Sequence, residues 1–87
     1  MKGCYVYMVV GSDGSLYTGI SRDPDHRVSE HNAGARGAKA LRGRRPVRLL
    51  WCTVCATRSA ALQLEAEIKR LRAHEKWSII LGNRSGL

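Results

Sequence analysis

Tyr5-Val6-Tyr7-Met8-Val9-Val10-Gly11-Ser12-Asp13-Gly14-Ser15-Leu16-Tyr17-Thr18-Gly19 places two runs of strand-forming residues around a cluster of turn formers. Cys4 to Val10 and Leu16 to Ile20 are rich in aromatic and β-branched residues, so the segment predicts a β-hairpin. All three tyrosines of the chain lie in it, and there is no phenylalanine. Loop length decides what those tyrosines can do together. A two-residue Asp13-Gly14 loop would pair Val10 with Tyr17 and send Tyr7 and Tyr17 to opposite faces, because side chains alternate along a strand. A three-residue loop, Ser12-Asp13-Gly14 with Gly14 left-handed, pairs Tyr7 with Gly19 and Val9 with Tyr17. Both phenols then share a face as diagonal neighbours, about 7–8 Å apart at the backbone. Gly19 opposite Tyr7 would leave a gap beside the phenol. Such a pair is either core packing or half of a site.

Tyr5-Val6-Tyr7 followed ten residues later by Tyr17-Thr18-Gly19 resembles the paired signature of the GIY-YIG nuclease superfamily, and the spacing is its specific part. The resemblance runs from about Tyr5 to Ile80 and is strongest to small stand-alone bacterial members, which share the stretch Gly37 to Gly43. It implies an α+β fold with strands and helices in the order β-β-α-β-α-α and a small, mainly antiparallel three-stranded sheet. It also implies a Mg²⁺- or Mn²⁺-dependent endonuclease acting on DNA, at branched, damaged or single-stranded sites in repair or recombination. Carried over residue by residue, the candidate catalytic set is Tyr7, Tyr17, Arg27, His31 and Glu65, with Glu65 as metal ligand. Ile20 departs from the lysine that many relatives carry after the second motif's glycine. Lys39 or Arg22 could take that place, or the function could be missing. Asn83 is the sole late asparagine that could match one used by some relatives. Larger relatives add a DNA-binding or zinc-bearing domain that these 87 residues do not include, so targeting is expected to fall to the basic loop, a protein partner or a homodimer.

The remaining residues fit that picture from their own chemistry. Asp23 and Pro24 form a helix start, as N-cap and first-turn residue, and Asn32 and Gly34 are stop signals. Arg27 and His31 stand four apart on one face of this helix, beside Val28, its only large apolar residue. Its inner edge must therefore carry polar groups. Gly34 to Arg48 has three glycines and six basic residues, Arg36, Lys39, Arg42, Arg44, Arg45 and Arg48. No acidic residue occurs between Glu30 and Glu65, which leaves this basic charge uncompensated. Arginine offers paired donors to phosphate oxygens, so Arg36, Lys39, Arg42, Arg44 and Arg45 are the expected nucleic-acid contacts. A third strand is expected from Val47 to Val54. A long helix capped by Thr57 should reach Leu71 or Arg72, with Ala60, Ala61, Leu64, Ile68 and Leu71 as its apolar stripe. A short helix from Ala73 to Leu81 closes a single domain spanning 1–82, and 83–87 read as a tail. Glu65 and Glu67 both flank the apolar stripe, and only the resemblance chooses Glu65. Ordinary helix pairing, Glu65 with Lys69 and Glu67 with Arg70, is the plain reading of both.

Composition sets limits. The net charge of +8 over 87 residues calls for a polyanionic partner. No apolar run approaches the ~20 residues that span a bilayer, and the start lacks a secretory pattern, so a soluble, cytoplasmic protein without a membrane partner is expected. Three cysteines, Cys4, Cys52 and Cys55, cannot all pair within one chain. Cys52 and Cys55 have C-x-x-C spacing but lie in a β-branched run with no second pair, so they read as buried small hydrophobes, not as a zinc knuckle. The function competing with a nuclease is a non-catalytic DNA- or RNA-binding module that uses the same basic loop.

Overall fold

A computed structural model of the chain describes residues 3–33 and 43–82. Its elements are β1 (Cys4–Val10), β2 (Leu16–Ser21), α1 (Pro24–Ala33), β3 (Arg48–Cys55), α2 (Arg58–Lys69) and α3 (Ala73–Ile80). The three strands form one antiparallel sheet in the order β2-β1-β3, which makes β1 the central strand. This is the expected α+β architecture and element order.

The hairpin takes the longer loop. Val10 pairs with Leu16, the Gly11 N–H donates to the Ser15 carbonyl at 2.8 Å, and the Gly14 N–H donates to the Gly11 carbonyl at 3.0 Å. Gly14 sits at φ +86°, a conformation that costs a residue with a side chain. Asp13 Oδ1 accepts from both the Ser15 N–H and the Ser15 hydroxyl, which fastens the turn from inside. The resulting register pairs Tyr7 with Gly19 and Val9 with Tyr17.

Alternation along β1 then builds two cores. Cys4, Val6 and Met8 face Ala61 and Ile68 of α2, with Ile20, Leu64, Ile79 and Ile80 packed around them. Tyr7 and Val9 face the other way, with Val47, Tyr17, Leu49 and Val28 of α1. The starts of α1 and α2 follow cap chemistry: Asp23 Oδ1 accepts from the His26 N–H, and Thr57 Oγ1 from the Ala60 N–H. Four expectations need correction. β3 runs one residue later than expected, and α2 stops at Lys69, because the Arg70 and Leu71 N–H groups bond three residues back and tighten the last turn. Ala60 is exposed, leaving Ala61, Leu64, Ile68 and Leu71 as the inner stripe. Cys52 is exposed and Cys55 only half-buried, because β3 is an edge strand; Cys4 alone is buried. No helix among the described residues is long and apolar enough to cross a membrane.

Candidate active site

Tyr7 stands on the central strand, 1% exposed, with its ring lying over Gly19 of the edge strand β2. A Cβ at position 19 would come within 2.7 Å of the Tyr7 hydroxyl and 2.8 Å of Cζ. The glycine is therefore a steric requirement: the missing side chain is the space the phenol occupies. Burial pushes the phenol up to about 12, reinforced by Tyr17; the Arg27 guanidinium opposes this by charge and by a hydrogen bond, and Glu65 adds a smaller upward push. Tyr17, Arg27 and Glu65 thus all act electrostatically on the Tyr7 hydroxyl.

His31 is the second buried polar group of this core. It is 1% exposed, and its Nε2 lies 3.2 Å from the Tyr7 hydroxyl. Its ring also meets the Tyr17 ring edge-on, with centroids 6.0 Å apart. Burial, and then the Arg27 charge, lower its pKa, with Glu30 opposing, so the imidazole is neutral at pH 7. The direction of the Tyr7–His31 bond follows the histidine tautomer. Arg27 can only donate, so it occupies a lone pair of the Tyr7 oxygen, and the phenol's own proton needs an acceptor. The Nδ1–H tautomer of neutral His31 offers one at Nε2. Arg27 also donates from Nη1 to Glu30 Oε1 at 3.1 Å, and its side chain is 31% exposed. Arginine and histidine four apart on one helical face thus meet one phenol.

α1 is held by polar ties because it has little apolar surface. Asn32, which the sequence presents only as a helix stop, makes two bonds to one backbone unit: Val47 N–H to Oδ1 at 2.7 Å, and Nδ2 to the Val47 carbonyl at 3.0 Å. Nothing in the sequence connects positions 15 residues apart through a side-chain amide.

Glu65 comes from α2, which packs on the other face of the sheet against β1 and β2. Its side chain is 18% exposed and bonds Lys69 Nζ at 3.3 Å, whereas Glu67 is exposed. The structure therefore separates the two glutamates that periodicity could not. No cluster of three or more histidine, cysteine or acidic side chains occurs among the described residues. Glu65 is a single half-buried carboxylate, a donor set that fits Mg²⁺, which takes one or two carboxylates and fills its shell with waters and phosphate oxygens. Ile20 packs into the α2-side core, so that side chain points away from the phenols.

Of the expected nucleic-acid contacts, Arg36, Lys39 and Arg42 lie outside the described residues. Arg44 and Arg45 lead into Val47 and β3. The Arg44 carbonyl accepts from the Ser12 N–H at 2.8 Å, and its Nε lies 3.5 Å from Asp13 Oδ2, which ties this end of the basic stretch to the hairpin turn. Arg45 is exposed. A cleft of about 470 Å³ beside the start of α1 is lined by Tyr5, Arg22, Asp23, Pro24, Asp25, Leu49 and Cys52. Its two carboxylates make it a poor seat for phosphate.

Known proteins resemble this arrangement in sequence and in fold. The GIY-YIG catalytic domain matches residues 3–77. A UPF0213 protein of Haloquadratum walsbyi is 54% identical over 72 residues, covering 83% of this chain and 80% of that protein. One from Staphylococcus aureus is 45% identical over 80 residues, covering 92% and 96%. The solution NMR structure of a UPF0213 protein from Bacillus halodurans superposes with a TM-score of 0.59 at 35% identity, over 95% of this chain and 87% of that one. A second NMR structure, of an E. faecalis protein, has a TM-score of 0.61 at 27% identity, over 100% and 95%.

Proposed function

Since the chain belongs to the GIY-YIG catalytic domain family, we propose that it is a divalent-metal-dependent endonuclease that hydrolyses DNA phosphodiester bonds, with Tyr7, Tyr17, Arg27, His31 and Glu65 as its working residues. One observation carries this reading. A buried phenol is hydrogen-bonded to a neutral imidazole and to a guanidinium, in a chain whose net charge is +8. Burying a phenol and an imidazole in so small a core is costly unless each is satisfied, and here they bond each other while half-buried Arg27 bonds the phenol.

The chemistry follows from the donors and acceptors. A water attacks the phosphorus and gives a proton to the Tyr7 oxygen as the phenolic proton passes to His31 Nε2. The P–O bond to the leaving oxygen breaks, that oxygen takes a proton from solvent, and His31 returns its proton to solvent. Arg27, turning from Glu30, holds the charge that builds on the phosphoryl oxygens. Half-exposed Tyr17, with its ring against His31, lines the open side and orients the water. Glu65 would hold the Mg²⁺ or Mn²⁺, whose role is to stabilise the leaving oxygen as a Lewis acid. Arg44 and Arg45, with Arg36, Lys39 and Arg42 of the same basic stretch of sequence, would contact the phosphate backbone, and a protein partner or a second copy would add targeting. The chain's substrates would be branched, damaged or single-stranded DNA, as met in repair or recombination.

One observation favours the non-catalytic alternative: Tyr7 is 1% exposed, so an attacking water must be admitted past Tyr17. The deciding experiment is a nicking assay on linear, single-stranded, forked and four-way DNA and on structured RNA, with Mg²⁺, Mn²⁺ or EDTA. Metal-dependent cleavage abolished in Tyr7→Phe and Glu65→Ala, with binding retained, is the expected result. Binding without cleavage on every substrate would establish the binding module instead.

A further inference from the structure

The rotation of α1 about its own axis decides whether His31 meets Tyr7, and its apolar contact is limited to buried Pro24 at its start and one larger side chain. Val28 is the only large apolar residue on the helix, and it is half-buried. The polar ties are more exacting. On one side, His31 Nε2 meets Tyr7 of β1 at 3.2 Å. On the other, the Asn32 amide bonds both polar groups of Val47, at 2.7 and 3.0 Å. Val47 itself is 2% exposed and lies just beyond the β1–β3 ladder, whose last pair is Val10 with Arg48. Asn32 therefore acts as one more peptide unit of the sheet, presenting a donor and an acceptor together as a strand would. Neighbouring helix residues diverge by about 100°. The two ties thus pull on different sides of the helix and leave it one rotation.

We propose that Asn32 is a positioning residue for the Tyr7–His31 pair: its two-bond tie to Val47 sets the rotation at which His31 Nε2 meets the Tyr7 hydroxyl. This rests on the nuclease reading for its consequence in catalysis, although the coupling itself can be measured without activity. A rotation of about 15° moves a side-chain tip 5–6 Å from the helix axis by roughly 1.4 Å. That exceeds the ~0.5 Å tolerance of a working site and breaks the Tyr7–His31 bond. Only an amide can make both bonds. Aspartate keeps the acceptor for the Val47 N–H but sets a carboxylate oxygen against the Val47 carbonyl, and alanine keeps neither.

The test uses the full chain, with the His31 ring nitrogens followed by ¹⁵N NMR and the cleavage rate by single-turnover nicking with Mg²⁺. Asn32→Asp and Asn32→Ala should both move the His31 Nε2 resonance away from its wild-type, hydrogen-bonded position. They should also lower kcat by about 10²-fold, with KM changed less than about 3-fold, as expected for a misplacement of about 1 Å. Ile79→Ala, in the opposite core, serves as the control for stability alone: it should lower the melting temperature and leave the His31 signal in place. A folded Asn32→Asp or Asn32→Ala protein whose His31 resonance matches wild type overturns the proposal, and so does an equal shift in Ile79→Ala. If the wild-type chain cleaves nothing, the nuclease reading fails, and the NMR comparison still decides whether Asn32 sets His31.

Discussion

Replacing Gly19 by alanine should damage the site more than the fold, and the structure gives the scale of both effects. The new Cβ would meet the Tyr7 hydroxyl at 2.7 Å, Cζ at 2.8 Å and Cε2 of Tyr17 at 3.2 Å. Carbon atoms settle at about 3.5–4.0 Å, so the Tyr7 ring must withdraw by roughly 0.7 Å. At 1% exposure it has no open space to enter. Gly19 does not have a positive φ, so alanine suits the backbone and should stabilise by about 0.4–1 kcal/mol through the unfolded chain. Overpacking opposes this by about 1–3 kcal/mol. Overpacking wins, and a net loss of roughly 0.5–2 kcal/mol is expected, small enough for the protein to remain folded. The catalytic effect is larger, because a shift of that size in a reacting group costs about 10- to 100-fold in rate. Urea unfolding and single-turnover nicking measure the two separately. Tyr7→Phe removes the 2.7 Å contact, so the alanine should cost about 0.5–1 kcal/mol less stability in that background. Gly19→Ala with a rate within about 3-fold of wild type and an unchanged unfolding midpoint would refute the placement of the phenol over Gly19.

Other changes separate the roles of neighbouring residues. Glu65→Gln should abolish metal-dependent cleavage and keep DNA binding within about 3-fold, whereas exposed Glu67→Gln should leave both unchanged, as nicking and a gel-shift titration will show. Tyr7 gives stability a pH dependence. Its folded pKa of about 12 lies above the unfolded value near 10, so its contribution is whole below pH 10 and is lost as pH rises toward 12. About 2–3 kcal/mol should disappear over that interval in urea unfolding, and Tyr7→Phe should remove the dependence. His31 has the opposite sign. Its depressed pKa means that stability is whole above about 6.5 and falls as pH drops through the folded value, so the acid limb of the cleavage rate should lie below 6.5 in wild type and be absent in His31→Gln. Gly14→Ala should cost about 1 kcal/mol in thermal unfolding, because φ +86° is strained for alanine and open space around the residue adds no clash.

The sequence revealed whatever depends on near neighbours. Loop parity set the hairpin register, because an odd loop is the arrangement that puts Tyr7 and Tyr17 on one face, and Gly14 is suited to close it. Asp23 and Thr57 marked helix starts, because a cap bonds an N–H only three residues away. Contacts across the fold were beyond reach. The Tyr7–His31 bond joins positions 24 apart, and the Asn32–Val47 tie needs the helix end and the strand start to be placed first. Glu65 and Glu67 look alike to periodicity; the sheet on one side of α2 is what distinguishes them. Cys52 misled because β-branched neighbours suggest burial, while an edge strand leaves one side of such a run uncovered.

The resting state of the site follows from the two proton affinities. Moving the phenolic proton to His31 takes it from a group that burial holds above its ordinary value to one that burial holds below its own, a gap widened from both ends. The neutral pair is therefore the resting state, and the phenol does not stand ready as a base. The proton can still pass during reaction, when the attacking water gives its own proton to the phenolic oxygen. Arg27 is the group that can narrow the gap, since its charge and its hydrogen bond both favour the ionised phenol, yet at rest it also serves Glu30. A phosphate that draws Arg27 wholly toward itself would weaken this help, whereas one bridged to both Arg27 and the attacking water would keep it. On the nuclease reading proposed above, productive binding should require the scissile phosphate to approach through Tyr17 and Arg27 together. A strand held only by the basic stretch should remain uncut.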